Sequence, residues 1–596
     1  MGSGNDGSQS WLPPAPQMLP LGHGNIFPPG GRHPVSTSLP TWDSVIGQSR
    51  KEKWVYDKLE WAYPRFYINK PVRDLAGAVA RRLNIADPNT SCMLFSSTNA
   101  RKCATSLREA SPDPENESES DIIHFCTPAD PDIGVGPWGW ASFSAVVMPS
   151  ESWNKAMAFW RDTGSGLSTR HAEFCLEVLH YLGSESSNKE FCAGAPRKGN
   201  RHSLPQSLAL VEAAEAAETS LDGVKSILAR IATSEQPGQP TVSPDDVFLY
   251  PTGMNAIFSL SENLLQLDGD SRVAAFGWLY PETVEVLRAG WGKVLAYRFG
   301  TEREYNHLEE SLESGKRIKA LFCEIPSNIT LYTPDLRRIR ALADKYGFIV
   351  ACDNTVAGYH DIDALPYVDV MISSLTKSFS GASNVTGGGL VLNPGSRYHS
   401  TLRKLLNDNY EKTYFPLDVA QLQTNCQSTA WRVNKCNKNT LPLVDLFASH
   451  PTVAAVHHPS TEPTSHLYKS LMRKDGGYGN LLSVVFHNPR SAEHFYNILD
   501  TCKGSSFGTN FTLAVPYVQL ANFWNQDKVV KYGVPRHIIR ISVGLEEGEE
   551  LVEVVARALE GVVEFEARPV HGVERSLCTE GNVSGGSMCK EEHISN

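Results

Sequence analysis

The feature that most constrains the fold of this 596-residue chain is an alternation of short apolar runs with helix-like segments, beginning at Val247. The runs are VFLY, VAAFGW, VLAYRF, IKALFCE, FIVACD, VDVMIS and GGLVLN, and segments such as ETVEVLRAG and LRRIRALADKYG separate them. Strands that are apolar along nearly their whole length are buried on both faces, as in a parallel sheet covered by helices. The pattern predicts an α/β domain with a mostly parallel sheet.

The rest of the chain is divided around this large domain by changes in composition and period. The apolar pattern changes at about residue 400, and both ends of the chain are rich in small or polar residues. We predict a disordered N-terminus over 1–32, an N-terminal region over 33–240, the large domain over 241–400, a smaller C-terminal α/β domain over 401–572 and a disordered tail over 573–596.

Composition excludes several classes of function. The chain has 66 acidic and 55 basic side chains, a net charge of −11, which is unlike a generic nucleic-acid binder. Its twelve cysteines form no C-x-x-C pair, so we predict no metal site and no disulfide scaffold. It has no run of 18 apolar residues, and its first residues lack a signal-peptide profile. We therefore expect a cytoplasmic protein without membrane or nucleic-acid partners.

Polar residues follow four of the apolar runs, where ligands of parallel sheets bind. The four strand ends offer a glycine that opens a helix, an amide, a carboxylate, and two hydroxyls beside a lysine. In chain order these residues are Gly253, Asn328, Asp353, Ser374, Thr376 and Lys377.

These residues fit one cofactor when they are taken together. Alone, Thr252–Met254 could be an ordinary helix start, Asp353 a turn cap and Lys377 a surface lysine with a buried stem. Pyridoxal phosphate needs a lysine for its Schiff base, a carboxylate against its pyridinium nitrogen and donors for its phosphate, which free N–H groups at a helix start supply. We therefore predict a pyridoxal 5'-phosphate site.

Two other motifs point to serine enzymes, and both are weak. Ser374-Leu-Thr-Lys377 matches S-x-x-K, but no K-T-G follows anywhere in the chain. Gly504-Ser-Ser-Phe-Gly508 matches G-x-S-x-G, but it has no strand-turn-helix context and lies outside the strand-rich region. We favour the cofactor interpretation over both.

The ordered motifs resemble the Cys/Met-metabolism family of pyridoxal-phosphate enzymes, and most closely the long fungal-type cystathionine gamma-synthases. The resemblance covers about residues 33–570. It rests on HPVSTSLPTW, AYPRF, FLYPTGMNAIF, EIPSN, SSLTKSFSGASNVTGGGLVLNP, GGYGNLLSVVF, SSFGTNFTLA and IIRISVGLEEGEEL. It implies the aspartate-aminotransferase-like fold (fold type I) with an N-terminal extension, and a homo-oligomer whose active sites lie at a subunit boundary.

The resemblance also implies roles for the residues that hold the cofactor. Lys377 would form the Schiff base and shuttle protons, and Asp353 would pair with the pyridinium nitrogen. The remaining positions would bind the phosphate, with amides from two of them and hydroxyls from the others. They are Gly253, Met254, Ser374 and Thr376.

Four further positions are implied by the same resemblance. Tyr280 would stack on the cofactor ring and join Lys377 as a catalytic residue. Arg540 would bind the substrate α-carboxylate, for which a planar guanidinium is suited. Asn328 and Ser506 would help to hold the cofactor and that carboxylate.

The chain departs from the family at positions that bear on the substrate. The family's partner subunit supplies a Y-x-R pair to the phosphate shortly before the T-G-M turn, where this chain reads RKGNRHSL (197–204). The earlier YPR (63–65) is interpreted as a separate feature, since it lies nearly two hundred residues from the turn. Ser505 stands where relatives that handle cystathionine often have glutamate.

The expected reaction is γ-replacement on an O-activated homoserine, O-acetylhomoserine by the fungal likeness, with cysteine giving cystathionine for methionine biosynthesis. Three alternatives stay open: another nucleophile (sulfide, carbon or nitrogen) in specialised metabolism, γ-elimination, and a non-catalytic scaffold subunit. Retention of Lys377, Asp353 and Arg540 argues against the scaffold.

Overall fold

The computed structural model describes residues 13, 15–109, 120–126, 140–186, 208–269 and 271–568, and within these ranges three β-sheets organise the chain. In the same ranges, no helix is both long and apolar enough to cross a bilayer.

The first sheet lies in the N-terminal region, and its described strands are antiparallel throughout. The elements of this part are α1 (Trp42–Ser49), α2 (Lys53–Tyr56), α3 (Lys70–Arg82), β1 (Thr90–Phe95), α4 (Ser97–Glu109), β2 (Asp121–Cys126), β3 (Phe143–Pro149), α5 (Trp153–Thr163), α6 (Thr169–Val178) and β4 (Gly183–Ser186). The strand order is β1-β3-β2-β4. Leu75 of α3 and Val178 of α6 are buried against Phe143 of β3. This sheet therefore has its own apolar core.

The second sheet is the predicted mostly parallel one. Its elements are α7 (Leu208–Ala232), β5 (Val247–Tyr250), α8 (Gly253–Leu265), β6 (Arg272–Phe276), α9 (Pro281–Gly290), β7 (Lys293–Tyr297), α10 (Glu302–Glu313), β8 (Ala320–Glu324), α11 (Leu336–Tyr346), β9 (Ile349–Asp353), α12 (Gly358–Asp361), β10 (Val370–Ser373), β11 (Gly388–Leu392) and α13 (His399–Asn409). The described strands follow the order β5-β11-β10-β9-β8-β6-β7. Only β11 of these runs antiparallel to its neighbours. The predicted α/β architecture is confirmed.

The apolar runs form this sheet because successive side chains of a strand point to opposite faces. In β8, Leu321 packs into the core on one face and Phe322 into the core on the other. The helices between the strands have clear ends. In α11, for example, the Asp335 carboxylate accepts from the Arg338 N–H, and Gly347 ends the helix with φ 78°.

The third sheet forms the C-terminal α/β domain. Its elements are α14 (Pro416–Cys426), α15 (Thr429–Ser449), β12 (Val453–His457), α16 (Ser465–Leu471), β13 (Leu481–Phe486), α17 (Pro489–Ile498), β14 (Cys502–Lys503), β15 (Leu513–Pro516), α18 (Tyr517–Ala521), α19 (Gln526–Lys531), β16 (Ile539–Ser542) and α20 (Gly548–Ala567). The described strands follow the order β12-β13-β16-β15-β14. Helices α15, α17 and α20 bury their apolar faces on this sheet.

Residues 15–32, which were expected to be disordered, are packed against the C-terminal domain. Leu19 and Ile26 are buried, and the Asn25 side chain donates to the Lys503 carbonyl at 3.1 Å. The expectation is therefore wrong for this part of 1–32. Residues 1–12 and the predicted tail over 573–596 lie outside the described residues.

Packing also crosses the boundaries predicted at 240 and 400. Leu228 of α7 lies in one core of the large sheet, and Leu402 of α13 lies in the other. Trp42 and Leu59 instead pack into the core of the C-terminal domain. The predicted N-terminal region is thus shared among three cores, because its segments pack on sheets that are distant in sequence.

Candidate active site

A cleft of about 570 Å³ lies at the carboxyl ends of β5, β8, β9 and β10. Nine of the ten predicted site residues line it, and Thr376 is the exception. The nine are Gly253, Met254, Tyr280, Asn328, Asp353, Ser374, Lys377, Ser506 and Arg540. Parallel strands deliver their ends to one edge of a sheet, and the C-terminal domain closes the opposite side of the cleft.

Lys377 lies in the turn after β10 with a side chain that is almost fully buried. Its Nζ donates to the Ser506 Oγ at 2.9 Å and to the Tyr63 Oη at 3.4 Å. Burial lowers the pKa of Lys377, and the Arg540 guanidinium lowers it further, against the opposing effect of Tyr63. The amine is therefore held closer to its neutral, nucleophilic form than an exposed lysine would be.

Tyr63 is the phenol closest to that amine. Burial by itself raises the pKa of Tyr63, but the adjacent Lys377 and Arg65 outweigh burial, and the pKa is lowered. The Lys377 Nζ also lies 4.6 Å from the centroid of the Tyr63 ring. The phenol and the amine can thus share a proton.

Asp353 ends β9 beside Glu324, which ends the neighbouring strand β8. The backbone N–H and the hydroxyl of Thr355 donate to the Oδ1 of Asp353 at 2.8 and 2.5 Å, so Oδ2 can accept from a donor in the cleft. Burial raises the pKa of Asp353, and burial together with Asp353 raises the pKa of Glu324 to about 8. A cationic ring nitrogen would relieve this concentration of buried carboxylates.

The start of α8 forms a close-fitting cradle. The Thr252 hydroxyl accepts from the Asn255 N–H at 3.0 Å, which leaves the N–H groups of Gly253 and Met254 for a ligand. A Cβ at Gly253 would stand 2.8 Å from the Cβ of Ser374, so only glycine fits. Free N–H groups at a helix start are suited to a phosphate. These residues fit pyridoxal phosphate.

Thr376 differs from the prediction. Its hydroxyl donates to the carbonyl of Gly387 at 3.3 Å and accepts from the N–H of the same residue at 3.0 Å. Because its one O–H bond is used there, Thr376 supports the turn that carries Lys377 and does not donate into the cleft.

Tyr280 stands at the start of α9, where its N–H donates to the Glu324 carboxylate. Its phenol oxygen accepts from Arg65 Nη2 at 2.6 Å, and Arg65 Nη1 donates to the carbonyl of Arg161. Arg65 also lies over the Tyr280 ring at 5.4 Å. Arg65 therefore fixes the wall on which a cofactor ring would stack.

Arg540 reaches the cleft from β16 and is buried between two aromatic rings, those of Phe507 and Tyr517. Its Nη1 donates to the Asn328 Oδ1 at 3.1 Å, and its Nη2 donates to the Ser506 carbonyl at 2.6 Å. Burial lowers the pKa of Arg540 to about 10. A buried guanidinium without a carboxylate partner in its bonds is a strong site for a substrate carboxylate.

Ser506 connects the lysine and the arginine. Its hydroxyl accepts from Lys377 and its carbonyl accepts from Arg540, with φ at 82°. That backbone conformation is costly for a side-chain-bearing residue and is found at functional sites. The G-x-S-x-G match falls in this loop between β14 and β15, so no helix follows the serine as a nucleophile elbow requires.

Sequence reasoning missed Tyr63 and Arg65, since their distance in sequence from the T-G-M turn made YPR look unrelated to the site. That interpretation is wrong, because both side chains lie in the cleft of the same chain. The family resemblance had assigned such a pair to the partner subunit, and the motif itself was the available signal. The alternative stretch over 197–204 lies outside the described residues.

Comparisons with known proteins agree with this geometry. A family model for the Cys/Met metabolism PLP-dependent enzymes matches residues 201–560, and one for the N-terminal domain of fungal trans-sulfuration enzymes matches residues 71–168. The cystathionine gamma-synthase-like protein ankD of Aspergillus thermomutatus is 41% identical over 536 residues, which cover 90% of this chain and 93% of the relative. The cystathionine gamma-synthase of Neurospora crassa is 32% identical, with 91% of this chain and 98% of the relative covered.

The fold has solved counterparts. The crystal structure of cystathionine gamma synthase from Xanthomonas oryzae pv. oryzae, in complex with aminoacrylate and cysteine, matches with a TM-score of 0.51 at 21% identity, covering 58% of this chain and 86% of that one. The fold and the site together define a pyridoxal-phosphate-dependent enzyme of fold type I. The chain belongs to the Cys/Met metabolism family of these enzymes and carries the N-terminal domain of its fungal members.

Proposed function

We propose that this enzyme catalyses γ-replacement on an O-activated homoserine, with O-acetylhomoserine and cysteine giving cystathionine and acetate. The observation that carries the proposal is one cleft that brings together a buried amine, Lys377, a carboxylate suited to the cofactor, Asp353, and a guanidinium suited to an amino acid, Arg540. The relatives' names support the reaction type.

The residues divide the binding task. The start of α8 would hold the cofactor phosphate, Asp353 the ring nitrogen and Tyr280 the face of the ring. Arg540, supported by Asn328, would hold the substrate α-carboxylate and so orient its Cα–H toward Lys377. When bound, pyridoxal phosphate supplies an electron sink for the pair released at Cα.

Lys377 would carry the protons. Its amine, whose pKa is lowered by burial, takes the proton from Cα and then helps to move a proton from Cβ, and Tyr63 is placed to exchange a proton with it. The bond between Cγ and the acetate oxygen breaks, and acetate leaves with its electron pair. The cysteine sulfur then forms the new bond to Cγ as the thiol gives up its proton, and protons are returned to Cβ and then to Cα, so that both carbons of the product regain the hydrogens they lost.

A second candidate is the same chemistry with a nucleophile other than cysteine, or γ-elimination to a 2-oxo acid and ammonia. It is favoured by Ser505, whose hydroxyl lies buried at the cleft with no hydrogen-bond partner among the described residues. The scaffold alternative is not favoured, since the family is one of enzymes and the cleft keeps Lys377, Asp353 and Arg540 together.

The first test is an absorption spectrum of the protein reconstituted with pyridoxal phosphate, recorded with O-acetylhomoserine, with and without cysteine, and followed by mass analysis of the products. A cofactor band that changes with substrate, together with cystathionine, supports the proposal. Substrate consumption without cystathionine would replace it by the second candidate, and absence of a bound cofactor would refute both.

We further propose that the enzyme works as a cytoplasmic homo-oligomer in methionine biosynthesis, as expected from its family. Light scattering on the reconstituted protein tests the oligomer, and a monomer with full activity would contradict it. Complementation of a strain that requires cystathionine for growth tests the pathway.

A further inference from the structure

A third carboxylate, that of Glu282, lines the cleft in addition to those of Asp353 and Glu324. Glu282 lies in the first turn of α9, two residues after Tyr280, and lines the same cleft as Lys377. Its Oε2 is buried and has no hydrogen-bond partner among the described residues. Acidic residues are common in the first turn of a helix, where they interact with the helix dipole while their oxygens face water. In Glu282, by contrast, Oε2 does not face water. A buried, unpartnered carboxylate oxygen costs stability unless a ligand compensates it.

Basic groups lie beside this carboxylate. Arg65 and Arg161 are near enough to oppose the effect of burial, which raises the pKa of Glu282. Arg65 is committed to Tyr280 and to the Arg161 carbonyl. Arg161, on α5, binds Asp162 through Nε and Nη2 at 2.6 and 3.1 Å and also lines the cleft. Because α5 packs against α9, Arg161 and Glu282 form one patch of opposite charges.

We infer that Glu282 and Arg161 form a head-group subsite for the incoming nucleophile, with Glu282 binding its ammonium group and Arg161 its carboxylate. The inference rests on the proposed γ-replacement and specifies its second substrate. Arg540 already provides for one α-carboxylate, so a second pair of opposite charges fits a second zwitterion. Sulfide and simple carbon nucleophiles have no ammonium group that Glu282 could bind. The nucleophile is therefore a zwitterionic amino acid thiol and not sulfide.

Four sulfur nucleophiles that differ in their ammonium and carboxylate groups test the subsite with the cofactor-loaded enzyme and O-acetylhomoserine. Cysteine carries both charges, cysteamine only the ammonium, 3-mercaptopropionate only the carboxylate, and hydrosulfide neither. In Glu282→Gln, kcat/KM for cysteine and cysteamine should fall about 10- to 100-fold, mainly through KM. The values for 3-mercaptopropionate and hydrosulfide should stay within about twofold, because the lost bond is to an ammonium group.

Arg161→Gln gives the complementary pattern, with losses for cysteine and 3-mercaptopropionate and none for cysteamine. Glu285→Gln is the matched control, since Glu285 lies on the same helix but is exposed and paired with Arg288. Each variant must keep the wild-type cofactor band and melting temperature.

The outcomes separate this inference from the proposed function. Equal losses for all four thiols in Glu282→Gln, or the same pattern in Glu285→Gln, would overturn the subsite and leave the proposed function standing. A wild-type enzyme that joins none of the thiols to the substrate would overturn both. A wild-type preference for hydrosulfide over cysteine would overturn the subsite and replace cysteine as the nucleophile, and it would leave γ-replacement itself standing.

Discussion

The large sheet and the N-terminal segment over 15–67, here called the strap, both supply the cleft, but they do so in different ways. The sheet places Asp353 and Lys377 because each follows a strand whose partners fix its position. The strap has only the short helices α1 and α2, and it places Tyr63 and Arg65 through contacts with residues more than 400 positions later. The positions of Asp353 and Lys377 thus follow from the topology of the sheet. The positions of Tyr63 and Arg65 depend instead on contacts between segments that are distant in sequence.

The strap is held by buried apolar side chains, such as Leu19 and Trp42, and by a few polar contacts. The Ser36 hydroxyl donates at 2.7 Å to the carbonyl of Ser505, which lies in the loop that contacts Lys377 through Ser506. The backbone N–H of Trp42 donates to the Asn497 Oδ1 at 2.8 Å. Single substitutions can therefore weaken the strap without touching the sheet, and this allows the two regions to be tested separately.

The largest effect is expected from Lys377→Ala in the sheet. Loss of the amine removes the covalent attachment of the cofactor and the base, so turnover should fall at least about 10²- to 10⁴-fold and the cofactor band should change. Stopped assays with O-acetylhomoserine and absorption spectra measure both. Lys345→Ala, at a half-exposed lysine, is the control. Turnover within tenfold of wild type would show that another group is the base.

The next effect concerns the strap. Arg65→Ala removes the donor that fixes Tyr280 and leaves the Arg161 carbonyl with one bond fewer. Bonds to charged groups are worth about 1.5–3 kcal/mol, so we expect kcat/KM to fall about 10- to 100-fold, with weaker retention of the cofactor on dialysis. Arg50→Ala, in the same segment but half exposed, should leave both unchanged. Unchanged kinetics in Arg65→Ala would show that Arg65 does not position Tyr280 for the reaction.

The sequence could predict the sheet and most of the site it carries. Apolar runs and the polar residues that end them are local signals, and they located Asp353 and Lys377 in one cleft. Thr376 was misjudged because its bonds to Gly387 depend on the path of the following loop. The order of residues 15–32, the first part of the strap, was missed because composition suggested disorder, while that order depends on partners such as Lys503 that no local pattern reveals.

A pH effect is expected where the strap covers the C-terminal domain. Lys503 is fully buried there, its Nζ donates to the carbonyls of Pro40 and Asn497, and burial lowers its pKa to about 7. Between pH 7 and the unfolded value of 10.5, the unfolded chain holds a proton that the folded chain lacks. Stability should therefore rise with pH in this window, by about 1.4 kcal/mol per pH unit, and this stabilisation is lost as the pH falls to 7.

Denaturant titrations at several pH values test this prediction in the wild-type protein and in Lys503→Met, which has no amine to titrate at this position. The variant should lose the extra slope between pH 7 and 10, whereas Lys404→Met, at an exposed lysine, should keep it. The same slope in Lys503→Met and in the wild-type protein would refute the assignment.

The smallest effect is expected at Asn25, which joins two parts of the strap to the C-terminal domain. Its Nδ2 donates to the Ser36 Oγ at 2.9 Å and to the Lys503 carbonyl at 3.1 Å. In Asn25→Ala the Lys503 carbonyl keeps its bond from the Leu39 N–H, and the Ser36 hydroxyl keeps its bond to Ser505. The Asn25 Oδ1 is already buried without a hydrogen-bond partner among the described residues, so its removal costs nothing in bonding.

The free energy of unfolding should therefore fall by only about 1 kcal/mol in Asn25→Ala, as for one net hydrogen bond. Denaturant titration measures the loss, and Asn89→Ala, at an exposed asparagine in the turn before β1, is the control. If kcat/KM falls with stability in Asn25→Ala but not in Asn89→Ala, anchoring of the strap sets the position of Arg65. If stability falls while kcat/KM stays constant, the contacts of Arg65 within the cleft hold it without that anchor.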